Sequence, residues 1–200
     1  MDVLIIAIGY LLGSIPFGLI VGKKFYGIDL REHGSNNTGA TNAFRVLGPK
    51  AALLVGVPDM LKGLLAVYFA QLFSANPLIM VVAGIAAICG HNWSMWMKFK
   101  GGRGVATSVG VLLMLAPKVV GVVLIVFIIL VGLTRYVSLG SITGGVLVPF
   151  LMWYFNYPLE IKIFGIVVAI FIVLRHRANI KRLLSGTENK VKPGNAKRKN

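Results

Sequence analysis

Two short polar segments carry residue types suited to binding a charged ligand. The first, residues 34–45, contains two Gly, three Asn, one Ser, two Thr and one Arg. Short polar side chains offer hydrogen bonds, and the planar guanidinium of Arg45 suits phosphate or carboxylate. Glycine lets the backbone approach a ligand closely. We therefore predict that this segment, with Ser35, Thr41 and Asn42, forms one wall of an anion-binding site.

The second segment, residues 98–108, is a basic, glycine-rich loop that leads into an apolar run. Free N–H groups at the start of a helix, together with its dipole, can hold phosphate. The spacing is not that of a P-loop. A positively charged loop that orients a membrane protein, with glycines for a tight turn, explains the same residues. The residues that we assign to phosphate binding are Lys100, Gly101, Gly102, Arg103, Gly104, Thr107 and Ser108.

Three further ionisable positions stand out. Asp59 and Lys62 are three residues apart, so they share a helix face and can pair; we predict a structural pair, with direct chemistry as the alternative. His176 and Asn179 have the same spacing, which places them on one face of a helix end. A histidine there can act as a base or bind phosphate, or simply end the helix. His91 lies beside two tryptophans, where interfacial anchoring and catalysis are both consistent with the sequence.

The sequence has no pattern typical of a metal or covalent site. Cys89 is the single cysteine, so there is no disulfide framework, and the three histidines are far apart. No Gly-x-Ser-x-Gly elbow and no histidine followed four residues later by aspartate occurs. We expect no metal and no cofactor.

These residues must be positioned by membrane helices. The chain is 56% hydrophobic with only six acids, and long apolar runs recur. We predict an all-α integral membrane protein with seven transmembrane helices, one of them short. The run at 105–117 covers roughly 20 Å of a ~30 Å core, and a start near Gly101 would nearly close the gap; a re-entrant hairpin is the alternative. The predicted spans are 3–21, 51–73, 78–96, 105–117, 119–133, 137–155 and 159–174.

The distribution of basic residues predicts the orientation. Lys and Arg concentrate in the odd-numbered turns, which places the N-terminus outside and the C-terminus in the cytoplasm. Residues 34–45, 98–108 and 175–179 then share the cytoplasmic face, where we expect one composite site. We predict one transmembrane catalytic domain over 1–185 and a basic cytoplasmic tail over 186–200.

A third of the basic residues behind the net charge of +15 lie at the C-terminal end. Seven of the 21 Lys and Arg residues lie from Lys181 onward. Such a tail is typical of a solvated end near anionic lipid. Nucleic-acid binding is the weaker interpretation, because no binding module accompanies the charge. We expect no nucleic-acid partner, and a monomer.

Three ordered motifs resemble the signatures of the bacterial acyl-phosphate:glycerol-3-phosphate acyltransferase family (PlsY), and the resemblance covers nearly the whole chain. It implies an enzyme of the bacterial inner membrane that forms 1-acyl-glycerol-3-phosphate from acyl phosphate and releases phosphate. It implies that the first and third motifs are catalytic, that the second binds glycerol 3-phosphate, and that Glu188 maintains structural integrity. The motifs are Gly34-Ser35-x-Asn37-x-Gly39-Ala40-Thr41-Asn42-x-x-Arg45, Lys100-Gly101-Gly102-Arg103-Gly104-Val105-Ala106-Thr107, and Arg175-His176-Arg177-x-Asn179-Ile180-x-Arg182-Leu183-Leu184-x-Gly186-x-Glu188.

The resemblance also implies a set of catalytic positions: Ser35, Thr41, Asn42, Arg45, Ser141, His176 and Asn179. Three positions depart from the usual pattern. Asn36 replaces Gly, Arg103 replaces Lys and Ser94 replaces Pro, and of these Arg103 keeps the cation. We therefore expect the activity to be retained.

These observations predict direct attack of the glycerol phosphate hydroxyl on acyl phosphate, without a covalent acyl-enzyme. The proton goes to His176 or to a substrate phosphate, and the sequence leaves both open. An anion transporter is the alternative class of protein. The outer turns of a transporter should carry polar groups, whereas those of this chain carry almost none. A membrane scaffold would leave three polar motifs unexplained.

Overall fold

The computed structural model describes residues 1–74 and 76–191, and this part of the chain is helical with no strands. The predicted all-α integral membrane fold is confirmed. The helices, in chain order, are α1 Asp2–Ser14, α2 Phe17–Tyr26, α3 Ala40–Leu47, α4 Pro49–Phe73, α5 Pro77–Asn92, α6 Val105–Leu115, α7 Pro117–Thr134, α8 Val137–Tyr154, α9 Leu159–Arg175 and α10 Arg177–Leu184, with a short 3₁₀ turn at Met95–Met97.

Each of the seven predicted apolar runs coincides with a helix or a broken pair of helices. Within the described ranges, five segments are long and apolar enough to cross a membrane: Asp2–Tyr26, Pro49–Phe73, Pro77–Met97, Pro117–Thr134 and Val137–Tyr154. The two shorter ones are α6 and α9. The number of crossings and the orientation of the termini therefore stay predictions.

The start of α6 differs from the expected start near Gly101. Helix α6 begins at Val105, after Gly104 in a left-handed conformation with φ of +80°. Its 11 residues span roughly 16 Å, which is shorter than the ~30 Å hydrocarbon core. The loop before it is therefore irregular, and its polar groups need partners inside the protein.

The first predicted span is broken into two helices. Helix α1 ends at Ser14 and α2 starts at Phe17, because Pro16 cannot continue the helical hydrogen-bond ladder. The carbonyls at the break find side-chain donors. Lys62 Nζ donates to Ile15 O at 2.9 Å, and Ser94 Oγ donates to Ser14 O at 2.6 Å. The kink is thereby tied to α4 and to the segment after α5.

Close packing of α4 against α6 places the glycine loop over the protein interior. A Cβ on Gly63 of α4 would collide with the backbone of Thr107, and one on Gly110 of α6 would collide with the backbone of Met60. Glycine at these two positions lets the helix backbones approach closely, as is common in membrane proteins. This contact fixes the position of α6 and therefore the position of the glycine-rich loop, residues 98–104, that precedes it.

Two short helices were not predicted from the sequence. Helix α3 includes the second half of the polar segment 34–45, for which we predicted no helix. Its apolar side packs Ala43 and Leu47 against α2 and α4, while Thr41 and Arg45, four residues apart, share another face. Helix α10 begins at Arg177, just after α9 ends.

The junction of α9 and α10 corrects one expectation. His176 lies between the two helices, so it does not share one continuous helix face with Asn179. Both side chains are nevertheless buried, at 2% exposure each.

The described part of the predicted tail contacts the helices. Val191 N donates to Arg135 O at 2.8 Å, and Glu188 is buried. The division of the chain at residue 185 stays a prediction. Four of the basic tail residues, Lys192, Lys197, Arg198 and Lys199, lie outside the described residues.

Candidate functional site

A polar cavity of about 180 Å³ brings the three predicted polar segments together. Of the predicted site residues, it is lined by Ser35, Thr41, Asn42, Arg45, Arg103, Gly104, Ser141 and His176. Two residues that we assigned to structure, Asp59 and Glu188, also line it, as do His91 and Ser138, which we had not assigned to the site. The other predicted residues, Lys100, Gly101, Gly102, Thr107, Ser108 and Asn179, do not line it.

Asn42 organises the first polar segment. Its Nδ2 donates to the carbonyls of Leu30, His33 and Asn37 at 3.0, 2.9 and 2.8 Å. Its Oδ1 accepts a hydrogen bond from Ser35 N at 2.8 Å. Because the amide is fully occupied by backbone groups, Asn42 holds the loop in place. Its part in the site is to present the side chains of the loop, rather than to bond a ligand.

Arg45 is the cation of the first segment. It is half-buried, and its Nη2 donates to the backbone carbonyl of Asn189 at 2.9 Å. Its Nε is buried and has no hydrogen-bond partner among the described residues. Burial lowers the pKa of Arg45, and the nearby Glu188 carboxylate opposes this effect. An arginine with an unused donor facing a cavity is well suited to bind an oxyanion.

The N–H groups of the glycine loop have partners that we did not anticipate. Gly101 N donates to Asn92 O at 3.1 Å, and Gly102 N donates to His91 O at 3.0 Å. These N–H groups were expected to hold phosphate, but they already satisfy carbonyls at the end of α5. A Cβ on Gly102 would collide with the His91 ring. The two glycines thus allow the loop to pack onto α5.

Arg103 is the loop residue that reaches the cavity. Burial lowers its pKa to about 10; Glu188 raises it, while Arg182, Arg45 and Arg175 lower it further. The guanidinium therefore stays protonated at neutral pH while lying close to other cations. An anion bound between these arginines would relieve their mutual repulsion.

The remaining candidates of this segment lie elsewhere. Lys100 is exposed to the surroundings, and Thr107 is buried, with an Oγ1 that has no partner among the described residues. Ser108 lines a second, apolar cavity. These three side chains make no contribution to the polar cavity in this structure.

His176 is held in one tautomer. Its Nδ1 lies 2.8 Å from Ile172 O, and because a carbonyl only accepts, Nδ1 carries the proton. The neutral ring therefore leaves Nε2 as an acceptor. Burial, followed by the charge of Arg103, lowers the pKa of His176 to about 4. The imidazole is neutral at physiological pH.

Glu188 connects α8 and α10 near the cavity through three side-chain hydrogen bonds. Its Oε1 accepts hydrogen bonds from Ser138 Oγ at 2.9 Å and Asn179 Nδ2 at 2.7 Å, and its Oε2 accepts one from Arg182 Nε at 2.7 Å. Burial opposes ionisation of Glu188, but the hydrogen bonds from Asn179, Arg182 and Ser138 outweigh it and lower the pKa. With Nδ2 occupied, Asn179 has only Oδ1 without a partner among the described residues.

Asp59, Lys62 and His91 form a buried cluster of ionisable side chains, of which Asp59 and His91 line the cavity. Asp59 Oδ1 lies 2.8 Å from Lys62 Nζ and 3.5 Å from His91 Nδ1. Ionisable residues inside a membrane segment are often functional. The position of Asp59 within a predicted span could therefore have indicated a functional role from the sequence alone. His91 could not be linked to Asp59 from the sequence, since 32 positions separate them.

An apolar cavity of about 300 Å³ adjoins the polar one. It lies between α6, α7, α8 and α9, with Met60 of α4 completing its wall. Apart from Ser108 and Ser141, its lining residues are apolar or glycine. Val105, Phe127 and Ser141 line both cavities. An amphiphilic molecule can therefore place a charged head in the polar cavity and a hydrocarbon tail in the apolar one.

Comparison with known proteins gives a consistent result. A family model described as glycerol-3-phosphate acyltransferase matches residues 3–186. The glycerol-3-phosphate acyltransferase of Geobacillus kaustophilus is 48% identical over 195 residues, which are 97% of this chain and 98% of the relative. That of Fusobacterium nucleatum is 43% identical over 187 residues, or 94% and 96%.

Two solved structures are also similar. Both are crystal structures of PlsY, an integral membrane glycerol 3-phosphate acyltransferase. The glycerol 3-phosphate form matches with a TM-score of 0.90 at 38% identity, over 96% of both chains. The lysophosphatidic acid form matches with a TM-score of 0.88 at 37% identity, again over 96% of both.

Proposed function

Because this chain belongs to the glycerol-3-phosphate acyltransferase family, we propose that it transfers a fatty acyl group from acyl phosphate to the sn-1 hydroxyl of glycerol 3-phosphate. Acylation of glycerol 3-phosphate in a membrane is the first step of phospholipid synthesis. The products are 1-acyl-glycerol-3-phosphate and inorganic phosphate.

The observation that supports this proposal is the junction of the two cavities. A cationic cavity with Arg45 and Arg103 meets an apolar cavity at Ser141. Acyl phosphate and the acylated product each join a phosphate to a long hydrocarbon chain. The acyl carbonyl, which lies between phosphate and chain, would then occupy the region where the walls are shared.

The reaction proceeds in one displacement. The hydroxyl oxygen of glycerol 3-phosphate attacks the acyl carbon, a new ester bond forms, and the bond from the acyl carbon to the phosphate oxygen breaks. The proton of the hydroxyl passes to Nε2 of His176 or to a phosphate oxygen of a substrate. Acyl phosphate is already activated, so no covalent acyl-enzyme is needed.

The cations of the site hold the two phosphates together. Placing two anionic substrates side by side raises their effective concentration, and fixed positive charge offsets their repulsion. We assign Arg103 to the phosphate of glycerol 3-phosphate and Arg45 to the departing phosphate. The hydroxyls of Ser35, Thr41 and Ser141 are the neutral donors; that of Ser141 now bonds Val137 O at 2.9 Å and would turn to reach a ligand.

The direct test is turnover by the purified protein. With acyl phosphate and glycerol 3-phosphate, we expect release of inorganic phosphate and formation of lysophosphatidate in equal amounts. Acyl-CoA should be a poor donor, because it lacks a phosphate joined directly to the acyl carbon. Phosphate uptake into proteoliposomes, without turnover at several acyl chain lengths, would identify a transporter instead.

We further propose that the protein lies in the bacterial inner membrane with the polar cavity open to the cytoplasm. In a Cys89→Ser background, cysteine placed at Ser74 or Asn156 should react with an impermeant reagent applied outside the cell. Cysteine at Ser185, which is exposed, should react only after permeabilisation. Labelling of Ser185 in intact cells would place the cavity on the opposite face.

We propose that one chain is sufficient for the reaction, because residues of a single chain line both cavities. Its partners are then the two substrates and the surrounding lipid, with no nucleic acid. We expect activity to rise linearly with protein concentration. We also expect the protein in detergent to have the molecular mass of one chain.

A further inference from the structure

Arg175, the last residue of α9, binds the backbone carbonyls of the glycine loop. Its Nε donates to Gly102 O at 3.0 Å, and its Nη2 donates to Gly101 O at 2.9 Å and to Gly102 O at 2.6 Å. The N–H groups of the same two glycines are bonded to α5. Each of the two glycines is therefore held through both its N–H and its C=O.

The side chain at this position makes use of the arginine fork. The guanidinium is planar and offers several donors in a fixed geometry, which lets one residue bind two neighbouring carbonyls. Its carbon lies 5.8 Å from the ring centroid of Trp93, a distance at which a cation is attracted to an aromatic face. Lysine keeps the charge, but it cannot reproduce this arrangement.

The clamp lies next in sequence to two residues of the polar cavity. Arg103 follows Gly102, and His176 follows Arg175. Both line the cavity, whereas Arg175 does not. A fixed bond between Arg175 and the carbonyl of Gly102 thus sets the separation of the loop from the junction of α9 and α10.

We propose that Arg175 is a positioning residue that directs Arg103 into the polar cavity by clamping the Gly101 and Gly102 carbonyls. The inference rests on the proposed function, in which Arg103 binds the phosphate of glycerol 3-phosphate. Loss of the clamp leaves the loop tied to α5 alone, so the direction of Arg103 is no longer fixed. Binding of glycerol 3-phosphate weakens, while the transfer step, which depends on Arg45, is less affected.

The test compares Arg175→Lys and Arg175→Ala with Lys181→Ala. Lys181 is an exposed cation of α10, six residues away, so it controls for the loss of one positive charge near the end of α9. With glycerol 3-phosphate varied at saturating acyl phosphate, Arg175→Lys should raise KM about tenfold and lower kcat by less than threefold. Lys181→Ala should leave both constants unchanged, and methylguanidinium should restore part of the affinity lost in Arg175→Ala.

A double variant shows whether Arg175 acts through Arg103. In an Arg103→Ala background, Arg175→Lys should change the KM for glycerol 3-phosphate by less than twofold, because the group that it positions is absent. A further tenfold increase in that background, or equal effects of Arg175→Lys and Lys181→Ala, would overturn the inference. If Arg175→Ala does not fold, the lysine variant, checked by thermal unfolding and gel filtration in detergent, carries the test.

The outcome also separates this inference from the proposed function. If the unmodified protein does not turn over acyl phosphate and glycerol 3-phosphate, the proposed function fails. If it turns over and Arg175→Lys retains its normal KM, only the role of Arg175 fails.

Discussion

Replacement of Arg45 with alanine is expected to lower kcat about a hundredfold and to change the KM for glycerol 3-phosphate much less. The reason is the position of the guanidinium, half-buried at the cavity with an Nε that has no partner among the described residues. We assign its charge to the departing phosphate, where negative charge accumulates in the transition state. Removal of one preorganised donor of this kind costs ~3 kcal/mol.

Two companion variants sharpen this prediction. Arg45→Lys should recover only part of the rate, because lysine keeps the charge but loses the fork. Lys50→Ala removes an exposed cation just beyond α3 and should leave the kinetics unchanged. The measurement is steady-state kinetics with each substrate varied separately, on protein shown to be folded. If kcat is unchanged in Arg45→Ala, Arg45 has no role in the transfer step and serves only as a positive charge that orients the protein in the membrane.

The helices were predictable because a bilayer imposes a strong constraint on the sequence. Each apolar run had to become a helix, since the hydrocarbon core provides no hydrogen-bond partners for the backbone. The two short helices, α3 and α10, were not predicted because they lie outside the apolar runs. Helix α3 begins at Ala40, the preceding Gly39 has no side chain to cap it, and its polar sequence resembles a loop. Packing of Ala43 and Leu47 onto neighbouring helices stabilises it, and this contact cannot be read from local composition.

The composition of the polar cavity was partly predictable from residue type. Arginine and short polar residues next to glycine indicated an anion site, and Arg45 and Arg103 both line the cavity. What each atom bonds could not be predicted. The N–H groups of Gly101 and Gly102 face α5, and the amide of Asn42 is occupied by its own loop. Backbone partners of this kind depend on tertiary packing, so a glycine-rich pattern alone does not distinguish a phosphate cradle from a packing contact.

Contacts between distant residues were the least accessible from the sequence. Glu188 binds Ser138, 50 positions earlier, and Arg45 binds the carbonyl of Asn189, 144 positions later. No local periodicity links these residues. The C-terminal segment was therefore expected to be a solvated tail, whereas its described part, through Glu188, forms a wall of the cavity.

The other large effect is expected at His176, where alanine should lower kcat about a hundredfold. The ring offers Nε2 as an acceptor, because Nδ1 donates to Ile172 O at 2.8 Å. General-base catalysis works best when the pKa of the base lies near the operating pH, and burial with Arg103 lowers the pKa of His176 to about 4. We therefore expect His176 to orient the attacking hydroxyl, and a substrate phosphate to take the proton.

His176→Gln tests this division of roles, because glutamine keeps a hydrogen-bonding group near the position of Nε2 but is not a base. It should retain about ten times the kcat of His176→Ala. If glutamine is as inactive as alanine in folded protein, the imidazole itself accepts the proton.

The pH dependence supplies an independent check on the same residue. Because the pKa of folded His176 lies below its ordinary value of 6.5, its contribution to the free energy of unfolding is fully present above about pH 6.5 and is lost as the pH falls towards 4. His176→Gln should therefore flatten the decline of Tm between these values. Ionisation of substrate phosphates cannot affect this measurement, since no substrate is added. An equally steep decline of Tm in the variant would mean that the pKa of His176 is not lowered in the folded protein. The argument that His176 is too weak a base to accept the proton would then be wrong.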